Sequence, residues 1–180
     1  MSLFNSNRKN KLNNAGMSLI ELLVVISIMS IMTGTMAISA NLVFSKDAEK
    51  CATRLNDAIN TARMNAMSKP GSGVLEIKKQ GGEYVAVYDD GSSECLSENN
   101  KISKISCSFN GSNVVIDGSD SVSITFDKSK GIVADFNGED LLNSGVSGLA
   151  VFTVEQTTGS KKSDVTLVTA TGKHMLGTLE

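Results

Sequence analysis

The chain of 180 residues has few of the residue types that usually carry catalysis or bind metals. His174 is its only histidine, and no nucleophile motif lies near it in the sequence. No phosphate-binding loop is present, and no cysteine or histidine spacing matches a zinc site. These absences argue against an enzyme and against a bound cofactor. We therefore expect His174 to be a solvated residue at the end of a strand.

Proline is equally scarce, since Pro70 is the only one. The stretch from Asn41 to Met67 contains neither proline nor glycine, so its composition allows an uninterrupted helix. Small and apolar residues recur in it at steps of three and four: Phe44, Ala48, Cys51, Ala52, Leu55, Ala58, Ile59, Ala62 and Ala66. The pattern predicts an amphipathic helix over 41–69, whose small side chains let a sheet approach closely.

Charged residues are nearly absent from the preceding stretch, 17–40, where Glu21 is the only one. A helix of about 20 apolar residues spans the hydrocarbon core of a bilayer, so this stretch predicts a transmembrane helix. Glu21 does not fit that environment, because a carboxylate at the centre of such a helix costs roughly 2.5–3.5 kcal/mol, and less near the interface. The acid therefore needs a positively charged partner.

Cleavage of the chain after Gly16 would create that partner. Met17 would gain a free α-ammonium group, and Glu21 follows it at the i, i+4 spacing of one helical turn. The carboxylate is also favoured at this helix end by the helix dipole. Between subunits, the carboxylate of one chain could neutralise the amine of a neighbour inside an apolar bundle.

Together these features resemble the prepilin-type N-terminal signal of type IV pilin-like proteins. The resemblance rests on a basic leader over 1–16 that ends at Gly16, on Glu21 at the fifth position after it, and on the apolar helix that follows. It implies that a prepilin peptidase, which is also an N-methyltransferase, cuts after Gly16 and methylates Met17. It also implies that Glu21 aids the assembly of subunits into a filament. Met17 replaces the usual phenylalanine, and the family tolerates other apolar residues there.

Two other interpretations of the N-terminal segment remain. An ordinary secretory signal would be cut after its apolar core, where Ala37-Ile38-Ser39 offers small residues. The apolar run is long for such a signal, however, and Glu21 would weaken it. An uncut membrane anchor explains the length of the run but leaves Gly16 and Glu21 without a role.

Basic residues in the leader predict the orientation of the chain. Arg8, Lys9 and Lys11 precede the apolar run, which favours a cytoplasmic N-terminus. We therefore expect a single-pass membrane protein with an extracytoplasmic C-terminal domain, which later lies in a filament or at the cell surface. Loss of the three leader charges lowers the formal net charge from −2 to −5, so general affinity for nucleic acid is not expected.

After Gly73 the hydrophobic period changes to two, which predicts strands. Val74–Ile77 and Tyr84–Tyr88 flank a glycine turn and form a hairpin signal. Further strands are predicted at Ile102–Phe109, Val114–Asp117, Val122–Phe126, Leu149–Gln156, Val165–Thr169 and His174–Leu176. The predicted fold class is α+β, with a long N-terminal helix packed on a mainly antiparallel β domain over 70–180.

Three later segments are similar to the H-type minor pseudopilins of type II secretion and to related minor type IV pilins. They are Leu55–Met67 at the helix end, Ile124–Phe126 with its turn to Gly131, and Thr171–Lys173. The resemblance implies a structural subunit of a pilus-like or pseudopilus filament. Its partners would be other pilin or pseudopilin subunits, an inner-membrane assembly platform, and membrane lipid before assembly. The alternative is a membrane-tethered binding module, an adhesin or DNA-uptake receptor, in which the β domain binds the ligand.

The three cysteines leave their pairing open. Cys95 and Cys107 are separated by a loop-like stretch and could form a disulfide after export, worth ~3 kcal/mol in the chain-entropy model. Cys51 falls on the apolar stripe of the predicted helix. We expect it to pack there as a small hydrophobic residue.

An acidic segment in the β domain is a weak calcium candidate. Its oxygen ligands surround a glycine, as they do in calcium loops: Asp135, Asn137, Glu139 and Asp140. The full spacing of a helix-loop-helix site is missing. A solvated acidic loop is the other interpretation.

A group of lysines is a weak candidate for DNA contact. Lys161, Lys162 and Lys173 would form a small basic face with His174 if the last hairpin brought them together. Certain minor pilins of the same subfamily bind DNA through a C-terminal motif with two arginines. Both arginines are missing from the corresponding stretch here, Gly172–Met175, which weakens the case for DNA contact.

Overall fold

The computed structural model describes residues 18–44, 46–69, 73–98, 100–157 and 161–177, and for 35–44 it describes the backbone alone. The chain divides after Ala40 into an N-terminal unit and a larger unit, Asn41–Glu180. The two units are described separately below.

The first helix, α1, comprises Leu19–Phe44. It begins directly after Ser18, whose carbonyl oxygen accepts hydrogen bonds from the backbone amides of Glu21 at 2.9 Å and Leu22 at 3.1 Å. Apolar side chains are distributed around the helix rather than along one face. Over the residues described, none of the helices reaches the combination of length and apolarity required to cross a membrane.

The second helix, α2, comprises Lys46–Ser68 and is amphipathic, as predicted. Its buried face consists of the stripe found in the sequence: Ala48, Cys51, Ala52, Leu55, Ala58, Ile59, Ala62 and Ala66. The remaining member of the predicted stripe, Phe44, has a side chain outside the described set. Ser45 also lies outside it, so a continuous helix through α1 and α2 stays a prediction.

The rest of the larger unit forms two sheets whose strand pairs are antiparallel. The elements are β1 Val74–Gln80, β2 Glu83–Tyr88, β3 Ser93–Cys95, β4 Ile102–Phe109, β5 Ser112–Ile116, β6 Ser121–Phe126, β7 Val133–Phe136, β8 Glu139–Asp140, α3 Leu141–Ser144, β9 Leu149–Gln156, β10 Lys162–Val168 and β11 Lys173–Leu176. One sheet has the order β3-β2-β1-β6-β7-β8, and the other β11-β10-β9-β4-β5. The predicted α+β class is confirmed.

Hydrogen bonds join the two sheets at two places. The hydroxyl group of Tyr84 in β2 accepts from the amide of Ile105 at 3.3 Å and donates to the carbonyl of Ser103 at 3.4 Å, both in β4. The amide of Val133 in β7 donates to the carbonyl of Thr169, just after β10, at 3.0 Å. Tyr84 is buried, so its hydroxyl group needs these partners.

Arg63 on α2 ties together two turns that belong to different sheets. Its guanidinium group donates to the carbonyl of Gly131 at 2.9 Å, in the β6–β7 turn, and to that of Thr171 at 3.2 Å, in the β10–β11 turn. The turns also touch, since a Cβ atom added at Gly172 would lie 2.0 Å from the Gly131 carbonyl oxygen. The three segments that resemble minor pseudopilins therefore meet at one contact.

Gly172 should not tolerate a side chain. Gly172→Ala would force a Cβ atom against the Gly131 carbonyl at a backbone φ of +64°, so we expect the free energy of unfolding to fall by more than ~2 kcal/mol. Gly118→Ala is the matched control, because φ is ordinary there and nothing lies within 4 Å of the added atom. Urea unfolding of the two variants tests this, and equal stabilities would contradict the described contact.

Candidate processing and assembly site

Glu21 lies in the first turn of α1, where the N-terminal partial positive charge of the helix favours a carboxylate. Its neighbours Leu19, Ile20 and Leu22 are apolar and exposed, by 82%, 70% and 52%. Ser18 and Glu21 have the S-x-x-E spacing of a helix capping box. This spacing signals the start of a helix in the sequence. The prediction from charge and apolarity alone did not use it.

The helix that carries Glu21 exposes a large apolar surface in the isolated chain. Besides Leu19, Ile20 and Leu22, its exposed hydrophobic residues include Leu23, Val24, Val25, Ile26, Ile28, Met29 and Ile31. A surface of this size on a monomer marks contact with lipid or with other proteins. The N-terminal segment is therefore built to be covered by something other than water.

The hydroxyl groups that the structure describes in α1, those of Ser27, Ser30 and Thr33, suit apolar surroundings. Each donates to the carbonyl oxygen four residues earlier: Ser27 to Leu23, Ser30 to Ile26, and Thr33 to Met29. Because each hydroxyl proton is bound within the helix, none requires a water molecule or a neighbouring chain. Glu21 is thus the only charged side chain that α1 would present to an apolar environment.

Gly16 and Met17, between which the predicted cleavage falls, lie outside the described residues. The pairing of Glu21 with the new amine therefore stays a prediction. What the structure adds is the position of the carboxylate in the first helical turn, which is where a pairing with the terminal amine requires it.

All three cysteines are free thiols in the structure, so a disulfide between Cys95 and Cys107 is not formed. Cys95 lies in β3 of the six-stranded sheet, whereas Cys107 lies in β4 of the five-stranded sheet. Burial raises the pKa of both Cys51 and Cys107 to about 12. These two thiols are neutral core residues, as expected for Cys51.

The acidic segment forms a hairpin rather than a calcium loop. Asp135 and Asp140 are cross-strand partners in β7 and β8, and Glu139 points to the opposite face because strand residues alternate. The carboxylate of Asp140 accepts from the amides of Leu142 and Asn143, both at 3.0 Å, and caps α3. In the part of the chain that the structure describes, no three acidic, histidine or cysteine side chains are placed to hold a metal.

The structure does not bring the three predicted lysines together. Lys162, at the start of β10, forms an ion pair with Glu155 at 2.7 Å, and Lys161 directly precedes it. Lys173 pairs with Val168 at the other end of the same strand, so the length of β10 separates the two groups. His174, expected at a solvated strand end, lies in β11 and is half-buried.

Residues 11–37 match the model of the prokaryotic N-terminal methylation motif. This segment contains Gly16, Met17 and Glu21. The match supports a type IV pilin-like prepilin signal at the N-terminus. No curated protein and no solved structure matches the chain.

Because the buried thiols of Cys51 and Cys107 ionise less readily in the folded chain than in the unfolded one, the free energy of unfolding should fall as the pH rises through the alkaline range. Their folded pKa is about 12 and the unfolded value is about 8.5. The contribution of these protonated thiols to the free energy of unfolding is therefore fully present below about pH 8.5, and it is lost as the pH rises towards 12. Each thiol should steepen the fall in unfolding free energy by roughly 1.4 kcal/mol per pH unit in this window.

Urea unfolding of Cys107→Ala across this alkaline range isolates one thiol. The variant should be less stable than the parent near neutral pH, because it leaves a cavity. Its stability should fall less steeply as the pH rises, so the difference between the two chains should shrink in the alkaline range. An unchanged slope would show that Cys107 ionises as easily in the folded chain as in the unfolded one.

Proposed function

We propose that the protein is a minor pilin or pseudopilin, a structural subunit of a type IV pilus-like filament or of a type II secretion pseudopilus. The observation that supports the proposal is the match of 11–37 to the methylation motif, a segment that contains Gly16, Met17 and Glu21. The H-type minor subtype belongs to this proposal. Its support is the resemblance of three segments that meet at Arg63.

The chain enters the membrane as a precursor with its N-terminus in the cytoplasm and its β domain outside. A prepilin peptidase cuts after Gly16, and the same enzyme methylates the new terminus at Met17. The apolar surface of α1 lies in lipid until the assembly platform of the inner membrane transfers the subunit to its neighbours. In the filament, the same surface packs against the helices of other pilin or pseudopilin subunits.

Glu21 gives this transfer its specificity. Apolar helices gain little hydrophobic energy when they exchange lipid for one another, so packing and polar contacts decide which arrangement forms. A carboxylate in an apolar bundle is costly unless it meets an opposite charge. The terminal ammonium of a neighbouring subunit provides that charge, and only one axial register brings the two groups together.

Glu21→Ala separates processing from assembly. We expect the variant to be inserted and cleaved as in the parent but to enter filaments at least ~10-fold less efficiently, because the register loses its ion pair. Immunoblots of membrane and sheared-filament fractions measure both steps. Glu49→Ala is the matched control, since Glu49 is an exposed acid on α2 with no side-chain partner in the described structure.

Gly16→Leu tests the cleavage step in the same assay. This variant should remain in the membrane as the uncut precursor, because the side chain blocks the position after which the peptidase cuts. Normal processing of Gly16→Leu, or normal assembly of Glu21→Ala, would contradict the respective step of the proposal.

A further inference from the structure

Strands β5 and β6 follow each other in the chain, but they belong to different sheets and do not pair with each other. A cleft of about 230 Å³ lies between the sheets at this point, lined by Val114 of β5 and Val122 of β6. The rest of its apolar lining comes from Cys107 and Phe109 of β4 and from Phe136 of β7. The cleft is therefore an apolar opening between the two sheets.

Strand β5 is an edge of the five-stranded sheet, because it pairs with β4 alone. Every second residue of an edge strand directs its amide and carbonyl groups away from the sheet, where another chain can pair with them. The other edge strands of the two described sheets, β3, β8 and β11, are shorter and carry charged residues. In contrast, β5 has five residues and neither a charge nor a proline. It therefore lacks the features that usually prevent such pairing.

The cleft and the free edge belong to the same strand. Ser112 and Val114 of β5 line the cleft, and paired residues of neighbouring strands direct their side chains to the same face. A segment that extends the sheet beside β5 would thus direct every second side chain into the cleft. Small-molecule sites usually have volumes of ~300–1,000 Å³, which is larger than this cleft. One or two apolar side chains fit it better.

The surroundings of the cleft favour a positively charged segment. Glu139 of β8 lines the cleft, is exposed, and forms no ion pair with a described residue. The stretches 105–127 and 131–160 contribute the whole lining, and they contain three and four acids but no lysine or arginine. A basic side chain next to the cleft would therefore meet a negative potential.

We propose that β5 binds an extended segment of another protein, which adds a strand to the five-stranded sheet. The segment places an apolar side chain in the cleft and, on the same face, a lysine or arginine beside Glu139. Backbone hydrogen bonds to β5 give affinity, and the two side chains select the partner. This inference goes beyond the proposed function and does not depend on it, because every residue of the cleft lies in the β domain.

Binding of short synthetic peptides to the full-length chain, purified in a nonionic detergent, tests the added strand. The matched peptide has a central valine between threonines and a lysine two positions away on either side, so it suits both strand directions. Fluorescence anisotropy should give a dissociation constant below ~1 mM. Replacement of the valine by serine should weaken binding at least ~10-fold, because the cleft loses its apolar side chain.

N-methylation of the peptide identifies the backbone hydrogen bonds. Alternate amides of a strand point to opposite sides, so only one of the two alternate sets faces β5. Methylation of that set should abolish binding, whereas methylation of the other set should leave it nearly unchanged.

Charge reversal at Glu139 tests the preference for a basic segment. Glu139→Lys should weaken binding of the lysine peptide at least ~5-fold and make its glutamate counterpart the better ligand, because attraction becomes repulsion. Asp57→Lys is the matched control at an exposed acid on α2, and it should keep the preference of the parent chain. A diazirine in place of the central valine should crosslink on irradiation to β5 or to the β7–β8 turn.

Several results would overturn the inference. No binding near ~1 mM, or a crosslink outside β5 and the β7–β8 turn, would contradict the site. Equal binding of the two N-methylated peptides would show that the cleft holds an apolar group without an added strand. If the diazirine peptide is excluded because a second copy of the chain occupies β5, the occupant is that copy and the inference is wrong.

Discussion

Close packing of α2 against both sheets is the constraint on which the β domain depends. Five of the eight residues that α2 buries are alanines, so the backbones of helix and strands approach closely. A Cβ atom added at Gly73 would lie 2.8 Å from the Cβ atom of Ala66, which leaves no room for a larger stripe. Arg63 completes the arrangement, because its guanidinium group binds one turn from each sheet.

The sequence predicted the elements that have a strong period. The stripe of α2 and the strands equivalent to β1, β2, β4, β6 and β9 appear nearly where expected, because alternation or helical spacing is sustained in each. The short elements β3, β7, β8 and α3 were missed, since two to four residues carry no readable period. Division of the strands into two sheets was also missed, because it depends on pairing between distant segments rather than on local pattern.

The candidate functional side chains divide in the same way, into those that a local sequence pattern reveals and those whose grouping depends on the pairing of distant segments. Glu21 was found from the sequence because one charge interrupts an apolar run, and its position in the first helical turn follows from the helix start. The grouping of Lys161 and Lys162 with Lys173 was wrong, because strand register places them at opposite ends of β10. The structure instead brings the β6–β7 and β10–β11 turns together through a contact between Gly131 and Gly172, which no spacing in the sequence reveals.

The N-terminal segment joins an apolar helix to a single acid, and its proposed role requires that acid to meet an amine created by cleavage. Mass spectrometry of the N-terminal peptide, from protein isolated out of native membranes, tests this requirement most directly. The account predicts a chain that begins at Met17 and is heavier by one methyl group. An intact Met1, or a terminus near Ala40, would contradict it and would mean that the helix only anchors or exports the β domain.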